Sequence, residues 1–184
     1  MKCPMLPHEM DLVKDIPVGS MCELGTKKFG QYKLWFQSQG WRHISIDLNG
    51  LGGALKLDLT QPIDVELLGG PFDVVTNYGT TEHVDEQEPC WRNVHALVKM
   101  GGWLVSCTPL DWPKHGRWYP REEWYREFID LNGYELRDLW YLTDRTERHT
   151  ICVRMKKVED KSFTMPTTPI FEMVSASQKM GAYI

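Results

Sequence analysis

VGSMCELG, residues 18–25, is a short apolar run closed by a carboxylate and then a glycine, and variants of this phrase recur along the first half of the chain. WRHISIDL (41–48) carries Asp47 at its end, ALKLDL (54–59) carries Asp58, and FDVVTNY (72–78) opens into the polar loop GTTEHV. Each run reads as a strand, and FDVVTNY is rich in β-branched and aromatic residues. Between the first two, the segment from Lys27 to Gln39 sets Phe29, Tyr32, Trp35 and Phe36 on one helical face, and Gly40 stops it. Strand ends in an open α/β sheet point their carboxyl edges into one crevice. A carboxylate at each edge gives a cleft suited to the hydroxyls and amines of a nucleoside-like ligand.

The second half continues the alternation. A brief helix is expected from about Ile63 to Leu68. Pro89 suits the first turn of a helix whose apolar stripe is Trp91, Val94, Leu97 and Val98, running to Met100 and ended by two glycines. WLVSCTP (103–109) is the next strand. Pro120 opens a helix with Trp124, Phe128 and Leu131, closed by Asn132-Gly133. YELRDLWYL and RHTICVRMK then follow with a short link, which makes them an antiparallel pair. Alternation of this kind implies a mostly parallel sheet with helices on both faces. Residues 1–157 read as a single domain, and 158–184, polar apart from PIFEMV, as a tail that is either flexible or a flap.

At 184 residues the chain can bury enough core to fold without disulfides. Net charge is −4 and no lysine/arginine block stands out beyond Arg154 to Lys157, so a nucleic-acid groove is not indicated. The five cysteines are scattered and odd in number; three lie in apolar runs and read as small buried hydrophobes. No CxxC pair argues for zinc, and no metal is expected. No stretch is long enough to span a membrane, and MKCPMLPHEM lacks an apolar signal core. A reducing cytoplasm is the expected setting. Most of the eight tryptophans read as core, but Trp112 and Trp118 fall in the loop LDWPKHGRWYP.

From Ile16 to Lys156 the chain resembles the class I S-adenosylmethionine-dependent methyltransferases. ELGTKKFG stands where that family has an acidic-x-Gly-x-Gly-x-Gly loop, and FDVVTNYGTTEHV corresponds to its fourth strand and functional loop. VKMGGWLVSCTP resembles the segment around the fifth strand. The resemblance implies an α/β fold with a doubly wound, mostly parallel seven-stranded sheet and one late antiparallel strand. It implies S-adenosylmethionine as cofactor and methyl transfer, at oxygen or nitrogen, to a small or sugar-like acceptor. It also assigns a cofactor site. Gly25 and Thr26 let the backbone approach the ligand, and Glu23 accepts from the ammonium group through water. Asp47, with Leu48 beside it, takes the ribose hydroxyls. Asp58 accepts from the adenine amino group, and the Leu59 N–H donates to a ring nitrogen. Asn77 and Tyr78 line the cofactor or the acceptor. The chain departs from the pattern at the second loop glycine, where Lys27 stands with Lys28 beside it.

Methyl transfer is a direct displacement, accelerated mostly by alignment and desolvation. A base is needed where the nucleophile holds its proton, and imidazole suits that at neutral pH. His83, after the fourth strand, is the first candidate and His115 the second; His43, His95 and His149 read as structural. The loop from Pro109 to Pro120 offers Trp112, Arg117, Trp118 and Tyr119 to the acceptor, since aromatics with a cation can sandwich a planar or sugar-like group. Asn77-Tyr78 is not the Asn/Asp-Pro-Pro-aromatic motif of DNA-base methylases. A degenerate, non-catalytic partner module and a nucleotide-sugar or dinucleotide enzyme are the alternatives, the last weakened by the absence of GxGxxG. A homo-oligomer is open.

Overall fold

The computed structural model of the protein describes Cys3 and residues 7–172. Its strands are β1 (Ser20–Leu24), β2 (Arg42–Asp47), β3 (Leu55–Lys56), β4 (Phe72–Tyr78), β5 (Val98–Pro109), β6 (Trp118–Tyr119), β7 (Tyr134–Thr143), β8 (His149–Lys157) and β9 (Phe171–Glu172). Seven of them form one sheet in the order 3-2-1-4-5-8-7, and β6 and β9 pair separately. β1 to β5 run parallel, and β8 runs antiparallel to both β5 and β7. The expected fold class is therefore the observed one: a doubly wound α/β sheet with one late strand reversed.

The strand sequences explain why both faces are covered. Successive side chains on a strand point to opposite faces. Val75, Leu104 and Val153 face one core, which holds Trp91, Trp124, Tyr125 and Phe128. Their neighbours Val74, Val105 and Cys152 face the other, with Leu12, Tyr32, Trp35 and Phe36. Such near-continuous apolar runs are the mark of a sheet buried on both sides. The first core is supplied by α3 (Gln87–Leu97) and α4 (Glu122–Asn132); the second by α1 (Pro7–Asp11) and α2 (Gln31–Ser38). Trp91 and Trp124 are fully buried, their ring centroids 4.7 Å apart. Truncating either to alanine is expected to cost about 3–5 kcal/mol.

Several sequence expectations shift. The segment 63–68 is a run of turns rather than a helix, closed by Leu68 and Gly70 N–H groups donating to the Val65 carbonyl. Gly69 is left-handed (φ 71°) and Gly70-Pro71 follow it, so the chain turns away before a second helical turn can form. The helix expected from Lys27 begins as a 3-10 turn, Lys27–Gly30, and becomes α-helical only at Gln31, because Gly30 is left-handed (φ 83°). The helix expected to reach Met100 ends at Leu97; Val98 already pairs with Phe72, so the two glycines lie inside β5. Of ALKLDL only Leu55–Lys56 is strand. The cysteine reading is also corrected. Cys22 and Cys90 are free and buried, but Cys107 and Cys152 form a disulfide. They sit directly opposite on β5 and β8 with Cα atoms 4.3 Å apart, a juxtaposition the spacing of 45 residues does not disclose.

Residues 158–172 return along the domain. Thr164 N–H donates to Asn132 on α4, Glu127 accepts from the Thr167 and Thr168 N–H groups, and Phe163, Met165 and Ile170 pack on the first core. Phe171 and Glu172 then pair with Tyr119 and Trp118. Met173 and Val174 of PIFEMV lie outside the described residues.

Candidate functional site

In register, Leu24 stands beside Ile46 and Asn77, and Tyr78 beside Cys107, so the carboxyl ends of the parallel strands form one edge. Two cavities open there. The first, about 570 Å³, is lined by Gly25, Thr26 and Lys27 after β1, by Asp47 and Leu48 at β2, by Leu57 to Thr60 after β3, and by Gly79, Thr80 and His83 to Glu86 after β4. Its size lies within the usual range for small-molecule sites. The second, about 450 Å³, is lined by residues including Glu9, Tyr78, Glu82, Trp112, His115 and Arg148. Lys27 and Gly79 line both.

Local hydrogen bonding builds the first cavity. Gly25 is left-handed (φ 73°), and a Cβ there would stand 2.4 Å from Thr80 Oγ1, which donates to the Leu24 carbonyl. Only glycine lets the two loops meet this closely. Asp47 Oδ1 accepts from the Asn49 N–H at 3.0 Å, and Oδ2 accepts nothing among the described residues. Asp58 Oδ1 accepts from both the N–H and the hydroxyl of Thr60, which fixes the turn that carries Leu59. Hence six of the assigned cofactor residues, Gly25, Thr26, Asp47, Leu48, Asp58 and Leu59, line one cavity together with His83.

Three others do not. Glu23 is buried beneath the loop, taking hydrogen bonds from the Ser45 hydroxyl (2.7 Å) and the Lys27 N–H (3.4 Å). Burial holds its carboxyl up at about 7, against the lowering effect of those donors. His43 lies 4.0 Å away, but burial pushes that imidazole down to about 3, so the two make no ion pair at neutral pH. Asn77 is fully buried; its amide donates to Thr81 and Ser106 hydroxyls and accepts from the Thr80 and Thr81 N–H groups. It shapes the loop after β4 rather than facing a ligand. Tyr78 is buried in the second core, its hydroxyl donating to the Glu9 carbonyl, and it borders the second cavity.

The loop after β5 divides likewise. Trp112 and His115 reach the second cavity. Tyr119 is buried and spends its hydroxyl on the Trp112 and Gly116 carbonyls and the Gly116 N–H. Arg117 bridges Asp85 (3.1 Å) and Glu172 (2.7 Å) and stacks on Trp118. These three assigned acceptor residues line neither of the two cavities and hold the loop closed.

What the sequence reading missed is Glu82. Its carboxylate is fully buried, and among the described residues neither oxygen has a hydrogen-bond partner. His115 Nε2 is 3.3 Å and His83 Nε2 3.7 Å from its Oε1, and the two imidazoles meet edge-on at 4.9 Å. The loops are locked together there by the Arg117 N–H donating to the Glu82 carbonyl (2.8 Å). Burial lowers the His83 pKa, and the Glu82 charge opposes that shift. The only hint in the sequence was the Glu-His pair after a buried strand.

No protein-family model matches the chain, and no curated protein matches it by sequence. Solved structures do match its fold. One is the Burkholderia thailandensis 1,6-didemethyltoxoflavin-N1-methyltransferase, solved with 1,6-didemethyltoxoflavin and S-adenosylhomocysteine: 16% identity, TM-score 0.62, covering 83% of this chain and 77% of that one. Another is the N-methyltransferase NodS of Bradyrhizobium japonicum: 13% identity, TM-score 0.62, covering 83% and 93%. A third is the [4+2]-cyclase SpnF: 12% identity, TM-score 0.59, covering 82% and 78%. The chain thus has the fold of class I S-adenosylmethionine-dependent methyltransferases, a fold that also carries other chemistry.

Proposed function

We propose that the first cavity binds S-adenosylmethionine and that the chain is a methyltransferase acting on a small acceptor held in the second. The observation that carries this is the convergence of Gly25, Asp47, Asp58 and Leu59, from three separate strand ends, on one cavity of suitable volume. Asp47 Oδ2 is open for a ribose hydroxyl, while Oδ1 is fixed by the Asn49 N–H, so the carboxylate is already oriented. Pre-orientation of this kind reduces the ordering cost of binding. Asp58 and Leu59 line the same cavity and would hold a purine edge through the carboxylate and the Leu59 N–H.

The cofactor, when bound, supplies an electrophilic methyl group on a sulfonium. The chain supplies alignment and exclusion of water. Lys27 and Gly79 mark the junction of the two cavities, where a methyl donor on one side would meet an acceptor on the other. His83 and His115 flank that junction, the place for groups that receive the acceptor's proton, directly or through a bound water. Trp112 offers a flat apolar wall to a planar or sugar-like acceptor, with attack through oxygen or nitrogen. Calorimetry with S-adenosylhomocysteine tests the reading. A dissociation constant in the micromolar range supports it, and no heat at millimolar ligand removes it.

A further inference from the structure

We infer that Glu82, His83 and His115 form a binding site for a divalent transition-metal cation at the junction of the two cavities. The three side chains bring one carboxylate oxygen and two imidazole nitrogens within 4.8 Å of one another. In a tetrahedral or octahedral site with bonds of about 2.0–2.2 Å, neighbouring ligand atoms stand roughly 3.0–3.5 Å apart. The His115–Glu82 separation of 3.3 Å falls in that range and the His83–Glu82 separation of 3.7 Å is just above it. A small closure of two half-exposed imidazoles completes the set.

The independent observation is the state of Glu82. A buried carboxylate without hydrogen bonds is costly, and chains retain one only where a partner offsets it. Among the described residues no hydrogen-bond donor fills that role, and of the basic side chains only the His115 and His83 imidazoles stand within 4 Å of Oε1. Lys27 Nζ and Glu82 Oε1 both lie near Gly79, but they form no ion pair. The space around the carboxylate is kept by two glycines. A Cβ on Gly79 would stand 3.0 Å from Glu82 Oε1, and one on Gly116 would stand 2.5 Å from Glu82 Cγ. Both loops therefore close on this one side chain and leave its Oε1 beside the two imidazoles.

The donor set names the class of cation. Two imidazoles and one carboxylate favour zinc, cobalt, iron or manganese over magnesium or calcium, which prefer all-oxygen sites. Three protein ligands leave coordination positions open. An acceptor oxygen in the second cavity would complete the shell and lose its proton more readily, to a bound water, since imidazoles that hold the cation no longer serve as the base. That last role rests on the methyltransferase reading; binding of the cation does not.

The test is titration of chelator-treated protein with cobalt(II) chloride, read by visible absorption, with S-adenosylhomocysteine calorimetry on the same preparations. One cobalt per chain is expected. His115→Ala and His83→Ala should each weaken binding at least tenfold, while His149→Ala, a surface histidine paired with Asp111, should not. His115 lies in a surface loop, so its variant carries the test should His83→Ala fail to fold. No cobalt binding, or equal binding by wild type and His115→Ala, overturns the site. Cobalt binding without S-adenosylhomocysteine binding keeps the metal site and removes the methyltransferase reading; the reverse result does the opposite.

Discussion

The two cavities share Lys27 and Gly79 yet are built by different means. The first is made at strand ends by short-range turns: Asp47 with Asn49, Asp58 with Thr60, and Gly25 against Thr80. The second is made by loops that meet across the fold. Glu82 and His115 are 33 positions apart, joined only because the loop after β5 folds over the loop after β4. A site of the first kind is written locally. A site of the second kind depends on which loops the sheet brings together.

Among substitutions around the two cavities, the largest expected effect lies under the first. Glu23 titrates at about 7 in the folded protein against an ordinary 4.5. A raised carboxyl pKa means the folded state holds its proton longer than the unfolded state. Stability is then full below about pH 4.5 and falls as pH rises towards 7, by up to about 3 kcal/mol. Glu23→Gln should remove that fall and leave the variant more stable than wild type above pH 7. Urea unfolding at several pH values measures the difference. His43, depressed by burial to about 3, acts in the opposite direction in both proteins and cancels. An identical pH dependence in the two would show that Glu23 is not held protonated by burial.

Asp47→Ala separates the cavities. Losing a carboxylate that accepts hydroxyl hydrogen bonds should weaken S-adenosylhomocysteine binding by about 1.5–3 kcal/mol, while cobalt binding stays level. His115→Ala should do the reverse. If either substitution moved both affinities equally, the two cavities would be one cooperative site.

Lys27→Gln probes the junction at a smaller scale. Its ammonium repels a sulfonium but not a neutral thioether, and at about 8 Å in an intermediate dielectric this amounts to roughly 0.5–1 kcal/mol. The variant should therefore gain a few-fold in affinity for S-adenosylmethionine relative to S-adenosylhomocysteine. An unchanged ratio would place Lys27 away from the methyl group.

Arg117→Ala should be smallest in stability, since its ion pairs to Asp85 and Glu172 are exposed. Its effect should appear as faster hydrogen exchange at Trp118 and Tyr119, with no measurable change in melting temperature. Unaltered exchange would mean that β6 and β9 hold each other without it.

The sequence by itself determined the strand–helix alternation, the buried character of both sheet faces, and the carboxylates and glycine that close β1, β2 and the run after β3. These depend on periodicity and on turns a few residues long, and such signals survive in one dimension. It misplaced helix ends at Gly30 and Leu97, where a left-handed glycine and pairing with Phe72 overrule local propensity. It could not tell that Glu23 and Asn77 face inward while Asp47 faces the cleft, because a residue at a strand end can turn either way. Only the tertiary structure decided the Cys107–Cys152 bond, the return of residues 158–172 onto α4, and the meeting of Glu82, His83 and His115. Each of these is a contact between distant segments. The sheet order sets their separation, and no spacing along the chain encodes it.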